Sequence, residues 1–141
     1  GSMAAVAVLA LLTLSSGALA QTKLKGFGKT VVIDILEGFV SSQDVAIYRG
    51  TTVVWTNVTA KSVAINFGMG KQVKQACVAP TGFQLSGNVY SAPNVRPGGV
   101  ASLCFVQPGT YSYTVIPEGG MGGEGGPPPR GIITVVKDNP A

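Results

Sequence analysis

Short runs of β-branched and aromatic residues recur along this chain, and glycine, proline or asparagine separates one run from the next. Such runs are typical of β-strands, because branched and aromatic side chains fit a pleated, half-buried surface. No segment beyond residue 20 shows the 3.6-residue hydrophobic period of an amphipathic helix over eleven or more residues. The predicted strands are residues 29–36, 44–50, 51–57, 61–67, 99–106, 109–116 and 131–136. This pattern predicts an antiparallel β-sandwich or barrel.

Two segments interrupt the succession of strands. Residues 68–97 are long and mostly polar, and a connection of that length inside a compact domain is usually functional or covalently held in place. Residues 118–130, "EGGMGGEGGPPPR", combine glycines that impose no shape with three prolines that favour a polyproline II conformation. The sequence predicts a loop over each segment.

The first twenty residues differ from the rest of the chain. Gly1-Ser2 precede Met3 and are interpreted as a cloning remnant, and residues 4–14 are apolar without a break except Thr13. The small residues Ala18 and Ala20 then form a cleavage signal. Because the apolar run is short for a membrane span, we interpret residues 1–20 as this remnant plus a signal peptide; the alternatives are a membrane anchor or a core helix. The prediction is one secreted or periplasmic domain, residues 21–141.

The charge of the chain argues against nucleic acid as a partner. Ten Lys and Arg against six Asp and Glu give a formal net charge of +4. The basic residues are scattered, whereas nucleic-acid binders cluster them on one element with aromatic residues between. No membrane contact is expected beyond the signal segment.

Two cysteines, Cys77 and Cys104, are present. In an exported protein an even number of cysteines favours a disulfide, and two cysteines allow only one intramolecular pairing. A redox pair or a Cu(I) thiolate pair are the competing interpretations. The cysteines lack the C-x-x-C spacing that lowers a thiol pKa, so we predict a structural disulfide.

Three motifs together resemble one known family. Residues 47–57, "IYRGTTVVWTN", are similar to the glycine turn, strand and W-T-N of the cupredoxins, the plastocyanin-like type 1 copper proteins. Residues 108–113, "PGTYSY", and 131–135, "GIITV", resemble the last two strands of that family. The resemblance covers roughly residues 29 to 137. It implies a Greek-key β-sandwich of about eight strands.

The resemblance also implies where a copper site would lie. Type 1 copper is held by two histidines, a cysteine and a weak axial ligand such as methionine. Alignment of the motifs puts Lys61 or Ser62 at the first histidine and Val115 at the cysteine. It puts Glu118 at the second histidine and Pro129 at the methionine. The chain contains no histidine at all, so it cannot supply a type 1 site by itself.

Other chemistry has few candidate residues. Met69 and Met121 are expected near each other at one end of the sandwich, where two thioethers, with Glu118 or Glu124, are candidate ligands for Cu(I) or a harder ion. Without histidine, a nucleophile elbow or a phosphate-binding loop, no enzymatic activity is predicted. Trp55 and Tyr111 are predicted core residues.

The predicted function is that of a protein-binding or structural module in an extracytoplasmic assembly, without a cofactor. An apolar side chain at position 115 fills the place of a buried thiolate and removes a void. The partner is another protein or a second copy of the chain. The alternative is a copper-handling or electron-transfer-associated protein that uses Met and Glu residues or ligands from a partner. Asn57-Val58-Thr59 is a formal glycosylation sequon.

Overall fold

The computed structural model describes residues 24–25, 30–119 and 126–137. The predicted signal peptide, Met121 and Glu124 lie outside the described residues. Within them the chain forms eleven strands and no helix, so no described helix could cross a membrane. Eight strands have five or more residues, which matches the predicted number. The strands are β1 (Leu24–Lys25), β2 (Thr30–Leu36), β3 (Phe39–Val40), β4 (Asp44–Tyr48), β5 (Thr52–Asn57), β6 (Val63–Gly70), β7 (Gln84–Ser86), β8 (Val89–Val95), β9 (Val100–Cys104), β10 (Gly109–Pro117) and β11 (Arg130–Val136).

The strands form two sheets. The seven-stranded sheet has the order β1-β4-β11-β10-β6-β8-β7, and the four-stranded sheet has the order β3-β2-β5-β9. Most neighbours are antiparallel, but β2 pairs with β5, and β4 with both β1 and β11, in parallel. The predicted all-β sandwich is confirmed, with mixed rather than purely antiparallel sheets.

The core lies between the sheets and follows the alternation of the strand sequences. Every second residue is buried in β5, and the same alternation in β10 buries Tyr111, Tyr113 and Val115. Trp55 occupies the centre, with its ring centroid 5.3 Å from that of Tyr113 and 5.5 Å from that of Phe83. Tyr111 is also buried, and its hydroxyl donates a hydrogen bond to the Gln107 carbonyl at 2.8 Å. The prediction that Trp55 and Tyr111 belong to the core is confirmed.

The predicted disulfide between Cys77 and Cys104 is present, with the two Cα atoms 5.2 Å apart. It attaches the segment after β6 to the end of β9, where the Cys77 N–H also donates to the Cys104 carbonyl at 3.2 Å. The predicted loop over residues 68–97 is wrong in part. β6 continues to Gly70, and β7 and β8 form a hairpin within this segment.

The strand directions define two ends of the sandwich. At the ligand-position end lie residues 36–38, 57–62, 117–119 and 126–130, which follow or precede β2, β5, β6, β10 and β11. At the opposite end, called the basic end, lie residues 49–50, 71–74, 107–108 and 137. The positions that the resemblance assigns to copper ligands all fall at the first of these ends.

Candidate functional site

Three of the four positions aligned with copper ligands line one pocket at the ligand-position end. Val115 on β10, Lys61 before β6 and Pro129 before β11 surround a space of about 180 Å³. Glu118 lies beside it, and its backbone N–H donates to the Ser62 carbonyl at 2.8 Å. The topology thus brings together residues that are far apart in sequence.

The side chains at these positions do not fit a type 1 copper centre. Val115 is only 1% exposed, and its N–H donates to the carbonyl of the buried Pro129 at 2.8 Å. Lys61 and Glu118 are exposed and carry opposite charges. The two buried positions therefore offer no donor atom on a side chain, and the two exposed ones offer an ammonium and a hard carboxylate. Among the described residues, no group of three His, Cys, Asp or Glu side chains is placed to hold a metal ion.

The remaining walls of this pocket are mostly apolar. Ile35, Leu36, Val63 and Pro117 contribute to them, and the three consecutive prolines at positions 127–129 form one side. Glu37 and Lys61 stand at the pocket with opposite charges. The Glu37 carboxylate accepts a hydrogen bond from the Ala60 N–H at 3.3 Å, which joins the turn after β2 to the turn after β5.

Asn57 organises the turn that carries Lys61. It is fully buried, and its Nδ2 donates to the carbonyls of Lys61 at 2.8 Å and Val95 at 2.9 Å. Its Oδ1 accepts from the backbone N–H of Thr59 at 2.9 Å and from the Thr59 hydroxyl at 2.6 Å. Every hydrogen-bonding group of the amide is thus paired, as a buried polar side chain requires. The turn between β5 and β6 is fixed from inside the protein.

The same burial bears on the glycosylation sequon. A glycan on Asn57 replaces one Nδ2 hydrogen and needs open space beside the amide, whereas this amide has no exposed surface and uses Nδ2 for two hydrogen bonds. The folded protein therefore does not present Asn57 as an acceptor. Asn57 and Thr59 match the sequon, but in this structure their side chains stabilise the turn between β5 and β6.

The strand register separates Met69 from the ligand-position end. Met69 pairs with Ser112 near the basic end of β6, while Pro117, next to Glu118, pairs with Val63 at the other end of the same strand. Six residues of extended strand separate Met69 from Val63, roughly 20 Å. Met69 and Glu118 therefore lie toward opposite ends of β6. Met121 lies outside the described residues, so the expected pair of Met69 and Met121 stays a prediction.

Two polar atoms in the core have no hydrogen-bond partner among the described residues, the indole N–H of Trp55 and the hydroxyl of Tyr113. Burial raises the pKa of Tyr113 to about 12. The nearby Trp55 N–H lowers this pKa by a smaller amount, although the two groups do not form a hydrogen bond. A Cβ at Gly131 would lie 2.5 Å from the Tyr113 Cζ. Gly131 is thus required by the close approach of this ring, which sequence reasoning did not anticipate.

Comparison with solved structures agrees with the fold. A variant of amicyanin with a methionine replaced by alanine, in the Cu(I) form, matches with a TM-score of 0.53 and 22% identity, over 79% of this chain and 86% of that one. Oxidised amicyanin with a proline replaced by alanine matches with a TM-score of 0.53 and 21% identity, over 79% and 87%. No family model and no curated protein matches this chain.

At this level of identity the likeness concerns the fold. Amicyanin is a cupredoxin, so the chain has a cupredoxin-like fold, as the sequence motifs predicted. What residues 61, 115, 118 and 129 do is a separate question, because side chains at a site can change while the sandwich is retained.

Proposed function

We propose that this chain is an extracytoplasmic cupredoxin-like domain that binds another protein, or a second copy of itself, through the ligand-position end. The observation that carries the proposal is Val115, a buried apolar side chain packed where the family resemblance expects a copper thiolate. Replacement of a ligand by a well-packed hydrophobic residue stabilises the scaffold and removes a reason for metal at that place. The domain is proposed to have no cofactor and no enzymatic activity.

The surface around the pocket supports a contact with protein. Phe39 and Val58 lie beside this end and are 51% and 58% exposed, although both are large apolar residues. Apolar side chains around a shallow pocket are typical of the centre of a protein interface, where an anchoring side chain of the partner is buried. The disulfide supports the extracytoplasmic location, because such bonds persist in oxidising compartments.

Site-specific photo-cross-linking tests the surface. A photoreactive amino acid at position 39 or 58 should label one protein, identified by mass spectrometry, in cells that produce the full chain. The matched control is position 78, because Val78 is equally exposed at 59% but lies beside Cys77, away from this end. Labelling that is equally strong from position 78 would contradict the proposed surface.

A copper titration separates this proposal from the copper-handling alternative. We expect the full chain to bind neither Cu(I) nor Cu(II) more tightly than micromolar in calorimetry and electron paramagnetic resonance. Tight Cu(I) binding that is lost in Met69→Leu or Met121→Leu would instead establish a copper carrier. Tight binding that survives both substitutions and requires reduction of the disulfide would implicate Cys77 and Cys104.

A further inference from the structure

The fold places the described carboxylates in one half of the sandwich and leaves the other half with cations alone among the described charges. Of the described residues, all four carboxylates belong to the ligand-position half: Asp34, Glu37, Asp44 and Glu118. The cations Lys61, Arg96 and Arg130 share that half with them. The basic end carries Arg49, Lys71, Lys74 and Lys137, and no described carboxylate. Lys71 and Lys74 are far from Lys137 in the sequence, but the strand topology places all three at the same end of the sandwich.

Lys71 is held in place at the basic end. Its ammonium lies over the ring of Tyr111, 5.9 Å from the centroid, which is within the range of a cation–π contact. Its aliphatic stem crosses Gly109, where a Cβ would come within 2.8 Å of the Lys71 Cδ. The absence of a side chain at position 109 thus makes room for the lysine. An ammonium held in this way loses less conformational entropy on binding than that of a free surface lysine.

Lys71 and Lys74 face one cleft. The cleft has a volume of about 460 Å³ and is lined by Gly70, Lys71, Gln72, Lys74 and Gln107. In the part of the chain that the structure describes, its polar side chains are therefore two ammonium groups and two amides, without a carboxylate. Ammonium and amide N–H groups are donors that pair with carboxylate oxygens.

We propose that the cleft at the basic end binds the carboxylates of an acidic segment on a partner protein. Charge complementarity supports this occupant, since the described lining of the cleft presents positive charge and hydrogen-bonding amides. The cleft itself is lined by two of the four cations named at this end, Lys71 and Lys74, which is fewer than the four to eight cations that cluster at sites for anionic lipids. Among the described residues, the basic end also has no exposed aromatic side chains interleaved with the cations, as a nucleic-acid surface requires. The cleft shares no residue with the pocket at the ligand-position end, so this proposal does not depend on whether that end binds protein.

A titration of the full ¹⁵N-labelled chain with hexaglutamate tests the proposal. We expect chemical-shift changes centred on residues 70–74 and 107–109, which weaken from about 10 mM to about 150 mM salt because the contact is electrostatic. The double substitution Lys71→Gln with Lys74→Gln should weaken the affinity about fivefold or more. The matched control, Lys61→Gln with Arg96→Gln, removes the same net charge from the other end and should leave the affinity unchanged.

Three results would overturn the proposal. The first is a shift pattern spread over both ends, and the second is an equal loss of affinity in the control variant. The third is binding to vesicles of phosphatidylcholine and phosphatidylserine that depends on Lys71 and Lys74 while hexaglutamate causes no shift, which would assign the cleft to a membrane surface. Failure of the cross-linking test at positions 39 and 58 would leave the basic end unaffected, because the two surfaces share no residue.

Discussion

Replacement of Asn57 by alanine is the substitution at the ligand-position end whose effect follows most directly from the structure. It removes two donated and two accepted hydrogen bonds from a side chain with no exposed surface. The carbonyl of Val95 and the N–H of Thr59 lose their partners at the same time. The turn before β6 then loses the contacts that hold it against β8.

The expected cost is about 2–4 kcal/mol in the free energy of unfolding. A typical intramolecular hydrogen bond contributes about 1 kcal/mol net, and four of them act here on one side chain. The lower value allows for water molecules that hydrogen-bond to the backbone groups of Thr59, Lys61 and Val95 once the Asn57 amide is removed. For a domain of this size, about 2–4 kcal/mol lowers Tm by roughly 10 °C or more.

Urea denaturation followed by Trp55 fluorescence measures this loss, because the indole lies in the core and reports on global unfolding. Asn94→Ala is the matched control, since Asn94 is an exposed asparagine at the same end of β8 and should change stability by less than about 0.5 kcal/mol. Thr59→Val should cost less than Asn57→Ala, because it removes only the hydroxyl from the network. A loss below about 1 kcal/mol for Asn57→Ala would refute the idea that this network fixes the turn.

Two further predictions concern the core and the disulfide. Reduction of Cys77–Cys104, which closes a loop with a sequence separation of 27, should lower stability by roughly 3–4 kcal/mol in the chain-entropy description; equal urea midpoints with and without reductant would contradict it. Tyr113 loses its proton near pH 10 when unfolded but near pH 12 when folded, so the folded state binds more protons and stability should fall by roughly 2–3 kcal/mol as pH rises from 10 to 12. Tyr113→Phe should make stability fall less over this pH range. At neutral pH it should change stability little, because the hydroxyl has no partner among the described residues. An unchanged pH dependence of stability in this variant would show that Tyr113 does not cause the fall.

Much of the sandwich could be predicted because buried side chains recur at every second position of its longer strands. Trp55, Tyr111 and Val115 occupy alternate positions in runs of strand-forming residues, and the structure buries all three. The hairpin of β7 and β8 is not predicted from the sequence because its first strand, Gln84–Ser86, has only three residues and all three are exposed. The signal that could have found it is Gly87-Asn88, a two-residue turn with both φ angles positive, at +60° and +76°.

The candidate sites were harder to predict because they depend on contacts between distant segments. Asn57 looked like a glycosylation acceptor, and only the three-dimensional structure shows that its amide pairs with Lys61, Thr59 and Val95. The sequence likewise does not indicate the basic end, because Lys71 and Lys74 form a common cleft with Gln107 only after β6 and β10 pair. Pattern reasoning identifies which faces are buried, but it does not identify which loops meet.

The place of β11 in the seven-stranded sheet has a consequence for how the chain acquires its structure. This strand, the last one described, lies between β10 and β4 in the interior of the sheet, and its pairing with β4 joins residues nearly ninety positions apart. A nascent chain that lacks β11 has two unpaired strand edges and cannot close the sandwich, so stable folding waits for the last strand to emerge. Contacts so distant in sequence are slow to form because the entropy of loop closure precedes them. We therefore expect folding of this sandwich to be completed only after residues 130–136 have been synthesised, and not while the earlier strands emerge.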